Sequence, residues 1–518
     1  MSKTTFIETI QKGYAFEGAA IELGAGMFNG EVCADAKVKI PLRMMNRHGL
    51  IAGATGSGKT KTLQILAEQL ALQGVPSLLM DVKGDLSGIA QPGESNPKIM
   101  DRHVKIGLPW EAFGCCVEML SLSEEKGVRL RATVTEFGPV LFSKILGLND
   151  TQGGVVTVVF KYCDDHKLPL LDLKDIQKVL QHITDAGKDE FEASYGKTSS
   201  VTVGTIIRKI VELEQQGAGT FFGEKSFEVD DLCRVDTEGN GVVSVVRLSD
   251  IQDRPKLFST FMLQLLAEIY SSFPEKGDVD KPELVIFIDE AHLVFSEASS
   301  TLLNQIETVI KLIRSKGIGV FFITQNPSDI PAAVLGQLGL RIQHALRAVT
   351  AADRKNIKLA AQNFPLTDFY DVENTLTQIG IGEAFVTALN EKGIPTPLAY
   401  TMLRAPQSRM NVLTQEEIDY IVDTSDLVDK YNEITDRDSA YEILTGKLND
   451  ASGEISETTT ETITQPEPEP EGPSMFDKAK DVISDAMNST VARQIGRSLA
   501  QEVTRGILGV LGLGGRRR

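Results

Sequence analysis

Short runs of consecutive apolar residues recur along this chain without the alternation of polar and apolar positions that marks a half-exposed strand. Strands buried on both faces have this pattern, which is typical of parallel sheets covered by helices. The runs predict five such strands, at 50–52, 78–80, 242–246, 284–288 and 320–323. Segments with helical periodicity, such as 59–73 and 257–273, lie between them. Alternating strands and helices predict an α/β fold.

The pattern also predicts how the chain is divided. Residues 136–240 are mostly helical in pattern, which indicates an α-helical subdomain inserted into the α/β core. Residues 451–474 carry acidic residues, Thr and Pro but almost nothing apolar, so we expect a disordered acidic linker. The remaining predicted segments are a small β/α segment at 1–46, the two parts of the core at 47–135 and 241–410, and polar helices at 411–450.

The last segment, 475–518, has a different character and is predicted to form an amphipathic helical tail. Apolar residues recur every four positions: Val491, Ile495, Leu499, Val503 and Ile507. Eight basic residues against four acidic ones give this segment a positive charge. One interpretation is a helix that packs on a neighbouring subunit. The other is a helix that docks on a membrane surface or another acidic partner.

The composition narrows the class of protein without fixing its function. A hydrophobic fraction of 42% and a charged fraction of 24% over 518 residues are ordinary for a globular protein. The net charge of −18 argues against an extensive nucleic-acid-binding surface, because phosphate contacts need Lys and Arg, but it is compatible with a local basic pore. The five cysteines form no CxxC pair, and neither a signal peptide nor a membrane-spanning stretch is evident. We therefore expect a cytoplasmic protein with reduced thiols.

A glycine-rich loop follows the first predicted strand. Its sequence fits the phosphate-loop pattern G-x-x-x-x-G-K-[ST] and is followed by a strongly helical segment. Such a loop turns its backbone N–H groups toward phosphates at a helix N-terminus. Lys59 should reach the β- and γ-phosphates of ATP, and the Thr60 hydroxyl should bind Mg²⁺. The predicted nucleotide-binding residues are Gly53, Ala54, Thr55, Gly56, Ser57, Gly58, Lys59, Thr60 and Lys61.

Two further strands end in polar residues that suit ATP hydrolysis. The buried strand 284–288 is followed by Asp289 and Glu290, at the end of the strand where α/β sheets bind ligands. Asp289 would hold Mg²⁺, directly or through water, and Glu290 would deprotonate the attacking water. Gln325 follows the strand 320–323 and would contact the γ-phosphate or the water; the alternative is a strand-end cap. The six histidines are scattered without metal-ligand spacing, and we interpret His292, close to Glu290, as structural.

Five stretches, in this order, resemble the HerA/FtsK group of ring-forming P-loop ATPases. They are HGLIAGATGSGKT from His48, LLMDVKGDLSG from Leu78, LVIFIDEAHLVF from Leu284, LIRSKGIGVFFITQNPSDIP from Leu312 and LGLRIQHALRA from Leu338. The likeness is greatest to a bacterial HerA-like subfamily and extends over nearly the whole chain. It implies a RecA-like P-loop core with a mostly parallel sheet, a hexameric homo-oligomer with sites between subunits, and action on DNA. Only 52 residues precede the phosphate loop, fewer than the N-terminal β-barrel of archaeal HerA proteins requires.

The resemblance also implies roles for charged residues outside the two motifs. Arg314 matches the position of the group's arginine finger, which would act on the site of the adjacent subunit, with Arg347 as the second choice. The alternative for Arg314 is a cation at a helix end. Asp81, Lys83 and Asp85 fit the group's strand after the phosphate-loop helix, either as phosphate or Mg²⁺-water contacts or as turn residues.

The sequence therefore predicts a Mg²⁺-dependent ATPase and leaves two functions open. One is a ring-forming motor that moves DNA or another polymer. The other is an ATP-dependent switch or scaffold that recruits a protein or membrane partner through its C-terminal tail. A small-molecule kinase is disfavoured, because Asp289, Glu290 and Gln325 suit the activation of water better than that of a substrate hydroxyl.

Overall fold

The computed structural model of the chain describes residues 1–453 except 253, 278, 296–299, 434 and 436. Within these residues, twelve strands form one sheet. The strands are β1 (Ala20–Phe28), β2 (Glu31–Pro41), β3 (Gly49–Ala52), β4 (Ser77–Asp81), β5 (Val117–Ser121), β6 (Val128–Arg129), β7 (Val243–Arg247), β8 (Leu284–Ile288), β9 (Ile318–Thr324), β10 (Leu340–Gln343), β11 (Glu383–Thr387) and β12 (Ala399–Leu403).

Eight of these strands are parallel and four extend the sheet in antiparallel fashion. The spatial order is β2-β1-β12-β11-β10-β3-β9-β8-β4-β7-β5-β6. Every pair from β10 to β6 is parallel. Every pair from β2 to β10 is antiparallel. The predicted α/β class with a mostly parallel sheet is confirmed.

The five strands predicted from apolar runs are all present, as β3, β4, β7, β8 and β9. Strand β8 shows why the runs are continuous, since all five of its residues are buried. Its alternate side chains join two different hydrophobic clusters: Leu284, Ile286 and Ile288 pack into one and Val285 and Phe287 into the other. Because both faces of the sheet are covered, apolar residues fill consecutive positions of this strand and do not alternate with polar ones.

Seventeen α-helices lie within the described residues. They are α1 (Lys3–Gly13), α2 (Lys59–Leu72), α3 (Pro97–Ile106), α4 (Val134–Ile145), α5 (Asp150–His166), α6 (Leu173–His182), α7 (Lys188–Tyr195), α8 (Ser200–Gln215), α9 (Pro255–Ser272), α10 (His292–Phe295), α11 (Ser300–Ile313), α12 (Ala332–Leu335), α13 (Ala351–Gln362), α14 (Val372–Leu376), α15 (Gln415–Asp423), α16 (Asp426–Tyr431) and α17 (Ala440–Gly453). None of them is long and apolar enough to span a membrane.

Several helices and strands lie within the segments predicted from the sequence. Helices α4 to α8 fall in the stretch predicted to be a helical insertion, and α15 to α17 fall in the stretch predicted to carry polar helices. The first 46 residues hold α1 and the hairpin β1–β2, which continues the sheet at its antiparallel edge. The division into domains stays a prediction. The amphipathic tail at 475–518, and the acidic linker beyond Gly453, lie outside the described residues.

Candidate active site

The glycine-rich loop connects β3 to α2, as its sequence predicts. Gly56 and Gly58 have φ values of 77° and 110°, in the left-handed region that favours glycine. Gly58 is the residue that precedes α2. It has no side chain to cap the helix, so it leaves the backbone amides of the first turn accessible. The N-terminus of a 14-residue helix and its free amides form a site suited to phosphate.

Lys59 lies inside the loop. Its buried ammonium donates hydrogen bonds to the carbonyl oxygens of Gly53 at 2.7 Å and Ala54 at 3.1 Å. Burial lowers the pKa of Lys59, and the neighbouring Lys83 lowers it further, whereas Glu290 and Asp289 raise it. The Lys59 side chain therefore lies across the phosphate loop, close to the predicted catalytic carboxylates.

The next two residues of α2, Thr60 and Lys61, contact different parts of the chain. The Thr60 hydroxyl donates to Asp85 Oδ2 at 3.4 Å, so it faces a carboxylate. The Lys61 ammonium contacts Gln64 Oε1 at 3.1 Å and the carbonyl oxygen of Met410 at 2.5 Å. The side chain of Lys61 thus ties α2 to the segment after β12, and only its backbone remains available for a phosphate.

Asp289 and Glu290 follow β8 at the same edge of the sheet as the phosphate loop. Asp289 is buried, and its Oδ2 has no hydrogen-bond partner among the described residues. Burial raises the pKa of Asp289 to about 7, although Lys83 acts in the opposite direction. A buried carboxylate oxygen without a partner indicates a missing cation or donor.

Two basic side chains lie next to Glu290. Lys83 forms an ion pair with it, and His292 Nδ1 lies 3.1 Å from its Oε2. The backbone of Glu290 has a φ of 46°, an uncommon value for a residue with a side chain. Such backbone conformations are found where a structure holds one side chain in a particular direction.

Three charged residues at the end of β4 and in the turn after it have separate roles. Asp81 accepts hydrogen bonds from the backbone N–H groups of Gly84, Asp85 and Leu86 at 2.8 to 3.1 Å, and therefore shapes the turn. Its burial raises its pKa to about 6. Lys83 faces Glu290, and Asp85 faces Thr60. The turn interpretation fits Asp81, whereas the side chains of Lys83 and Asp85 contact the residues predicted to act on the phosphates and on Mg²⁺.

Gln325 and Arg314 lie at opposite ends of β9. Gln325 follows the strand directly, and the carbonyl of Thr324 accepts a hydrogen bond from Gly53 N at 3.2 Å, so this end adjoins the phosphate loop. Arg314 precedes the strand and is exposed. Seven residues of extended strand span about 20 Å. The structure therefore brings Gln325 to the site and leaves Arg314 far from the site of its own chain.

His344 belongs to the site, although its spacing from other histidines gives no sign of it. Its buried ring lies 2.9 Å from the Thr62 hydroxyl, and burial lowers its pKa to about 4, so it is neutral. A Cβ on Gly53 would lie 2.5 Å from the His344 Cβ. The next residue, Ala345, accepts a hydrogen bond from Ala54 N at 2.8 Å. The strand before it, β10, reads Leu-Arg-Ile-Gln and is not an apolar run, so no local signal in the sequence marks His344.

The oxygen atoms at this edge could hold Mg²⁺. The Thr60 hydroxyl, Asp289 Oδ2 and Asp85 Oδ1 are hard ligands of the kind this ion prefers, and the two carboxylate oxygens have no hydrogen-bond partner among the described residues. Mg²⁺ usually takes only one or two carboxylates from the protein and completes its shell with water and substrate phosphates. The residues present therefore fit this ion.

Both the sequence and the fold of this chain are similar to those of known proteins. The chain aligns with the DNA double-strand break repair helicase HerA of Sulfolobus acidocaldarius at 21% identity over 371 residues, which is 70% of this chain and 66% of the relative. It aligns with a probable helicase of Methanocaldococcus jannaschii at 23% identity over 405 residues, 74% of this chain and 70% of the relative. Its structure matches the bacterial conjugative coupling protein TrwB, lacking 70 N-terminal residues, with a TM-score of 0.50 at 13% identity over 80% of this chain and 95% of that one.

The match to TrwB shows a shared fold alone, and the chain spans 66% of the length of the Sulfolobus helicase. A family description covers far more of the sequence. The model of the helicase HerA-like C-terminal family matches residues 28–518, a range that includes the phosphate loop, both strand-end motifs and the segment after them. The chain belongs to the HerA-like helicase family.

Proposed function

We propose that this protein is a Mg²⁺-dependent ATP hydrolase. The main support for the proposal is a single observation. The uncapped N-terminus of α2 and the carboxylates of Asp289 and Glu290 lie at the same edge of the sheet. Binding alone would need only the loop. Both carboxylates are buried, and that of Glu290 lies beside Lys83 and His292, an arrangement that suits the activation of water.

Each side chain has one task in this proposal. Lys59 and the amides of the loop hold the β- and γ-phosphates, Thr60 and Asp289 hold Mg²⁺, and Gln325 orients the attacking water. Glu290 accepts the proton of that water as its oxygen attacks the γ-phosphorus. The bound Mg²⁺ would neutralise charge on the β- and γ-phosphates. The phosphoryl group leaves ADP and departs as inorganic phosphate.

The substitution Glu290→Gln tests the proposed base, because glutamine keeps the shape of the side chain but cannot accept the proton. We expect kcat to fall by about 10² to 10⁴-fold while ATP still binds, as measured by steady-state phosphate release and equilibrium titration. Glu283→Gln, at the opposite end of β8, is the matched control and should leave kcat unchanged. An unchanged rate in Glu290→Gln would exclude this residue as the base.

We further propose that ATP hydrolysis drives a ring-forming motor that acts on DNA. The support is membership of the HerA-like family and the description of a relative as a DNA double-strand break repair helicase. Arg314 adds to it, because its distance from the site of its own chain suits action on a neighbouring subunit. A hexameric homo-oligomer is the assembly that the family resemblance implies.

The alternative is an ATP-dependent switch or scaffold, whose C-terminal tail would bind a protein or membrane partner. The charge of −18 is the observation in its favour. The ATPase rate of the sized oligomer, measured with and without single- and double-stranded DNA at fixed salt, distinguishes the two functions. The motor predicts strong stimulation by DNA, and a rate indifferent to DNA would exclude it in favour of the switch.

A further inference from the structure

The loop formed by Gly380, Ile381 and Gly382 borders the phosphate loop. It connects α14 to β11, and the N–H of Gly382 approaches the carbonyl oxygen of Ser57 at 3.4 Å. A Cβ on Gly58 would lie 3.3 Å from the nitrogen of Gly382. The two loops are therefore in van der Waals contact beside the first residues of α2, where the phosphates are expected.

The backbone of this loop is held on several sides. The guanidinium of Arg102 donates hydrogen bonds to the carbonyl oxygens of Ile381 at 3.3 Å, Gly382 at 3.0 Å and Leu403 at 3.0 Å. The N–H of Gly380 donates to the Glu383 carboxylate at 3.0 Å. The side chain of Ile381, by contrast, is 76% exposed. A single exposed apolar residue is ordinary, but the backbone of this one is held beside the phosphate loop.

The order of the strands shows in which direction a nucleotide would extend. The carboxylates follow β8, on one side of β3, and the transferred γ-phosphate must point toward them. The nucleoside then leaves the loop on the other side of β3, toward β10 and β11. The segment that enters β11 carries Ile381.

We infer that Ile381 is a nucleoside-binding residue, whose side chain packs against the base of the bound nucleotide. The inference rests on the proposed function, since it requires a nucleotide in the phosphate loop. Nucleotide pockets commonly combine polar groups for the phosphates with apolar side chains for the flat faces of the base. Ile381 supplies the apolar contact, and Arg102 is a positioning residue that holds its backbone.

ADP and inorganic pyrophosphate, each with Mg²⁺, test this assignment, because they carry the same two phosphates and differ by the nucleoside. We expect Ile381→Ala to weaken ADP binding about fivefold in equilibrium titrations and to leave pyrophosphate binding unchanged. A fivefold loss corresponds to about 1 kcal/mol, the scale of one partly buried aliphatic contact. Val201→Ala is the matched control, because Val201 is also 76% exposed but lies on α8.

Four outcomes would overturn the inference. Unchanged ADP affinity in Ile381→Ala would show that Ile381 does not contact the base. Equal loss for ADP and pyrophosphate would indicate that the substitution acts through the phosphate loop. Loss of self-association at unchanged ADP affinity, measured by sedimentation, would assign Ile381 to a contact between subunits. Wild-type protein that binds neither ligand would overturn the proposed function itself, and this inference with it.

Discussion

The Lys83–Glu290 ion pair joins residues 207 positions apart in the chain, on loops that follow two adjacent strands. The side chain of Glu290 is 7% exposed, so its carboxylate has few waters to stabilise its charge. The ammonium of Lys83 lies where it would stabilise that charge and orient the carboxylate. We therefore expect the pair to matter for the orientation of the base and not for the affinity for nucleotide.

The substitution Lys83→Met, which keeps the length of the side chain but removes its charge, should lower kcat by about tenfold or more. The reason is that a base whose position shifts by about 1 Å can lose two orders of magnitude in rate. The affinity for ADP should change little. Steady-state phosphate release and ADP titration would measure both quantities, and Lys83→Arg should retain much of the rate.

Lys276→Met is the matched control for this prediction. Lys276 pairs with Glu283 at 2.8 Å, and its side chain is 37% exposed against 39% for Lys83, but the pair lies at the amino end of β8. If Lys276→Met lowered kcat as much as Lys83→Met, the effect would be general destabilisation. An unchanged kcat in Lys83→Met would exclude the orienting role.

Sequence patterns identify residues of the site when the signal is local. The glycines of the phosphate loop and the pair Asp289–Glu290 are consecutive in the chain, and each stands beside an apolar run. The contacts of Lys83 with Glu290 and of His344 with Thr62 form only when distant strands pair. No spacing in the sequence encodes them, so such partners become visible only in the folded chain.

Between elements, a buried carboxylate connects the phosphate-loop helix to the segment after β12. Glu68 on α2 accepts hydrogen bonds from Gln407 N at 2.8 Å, Ser408 N at 3.1 Å and the Ser408 hydroxyl at 2.9 Å. These donors favour the charged carboxylate, but burial outweighs them and raises the pKa of Glu68 to about 7 from 4.5. The contact therefore depends on pH in the neutral range.

The direction of this dependence follows from the raised pKa. The folded protein binds the proton of Glu68 more tightly than the unfolded chain does, so this group stabilises the fold below about pH 4.5. That contribution is lost as the pH rises to about 7. A shift of this size corresponds to about 3 kcal/mol at most. Glu68→Gln cannot ionise, and its Tm should fall less than that of the wild type between pH 5 and pH 8.

Thermal unfolding monitored by circular dichroism at the two pH values would measure this difference. Glu8→Gln, on the exposed face of α1, changes the net charge equally and should keep the pH dependence of the wild type. Equal falls in Tm for Glu68→Gln and the wild type would show that Glu68 does not titrate in this range.

The sequence predicts elements well where burial is complete and poorly where it is partial. Strands β3, β4, β7, β8 and β9 are recognisable because both of their faces are covered. Strand β12 alternates buried and partly buried positions over only five residues. Strand β10 has four residues and includes Arg341. Short strands of this kind are specified by their pairing partners, so their own sequences give little signal.

At the scale of the whole molecule, the length of β9 separates Arg314 from the phosphate site of its own subunit. Gln325 lies at the end beside the phosphate loop, whereas Arg314 lies at the other end, about 20 Å away along the strand. No rotamer of an arginine covers that distance. If Arg314 stabilises the charge that develops during phosphoryl transfer, it must act on the site of another subunit, and the complete site must lie between two chains.

Mixing two inactive variants tests this requirement. Arg314→Ala alone should lower kcat by about 10³-fold, the lower end of the range for arginine fingers. Glu290→Gln alone should be nearly inactive because it lacks the proposed base. In mixed oligomers, some interfaces pair the intact Glu290 of one chain with the intact Arg314 of its neighbour, so the mixture should hydrolyse ATP faster than the two variants measured separately. Lys311→Ala removes an exposed cation one turn earlier, on α11, which ends directly before Arg314, and should leave kcat unchanged. If subunit exchange is verified and the mixture regains no activity, Arg314 does not complete a neighbouring site, and its charge serves only the end of its own helix.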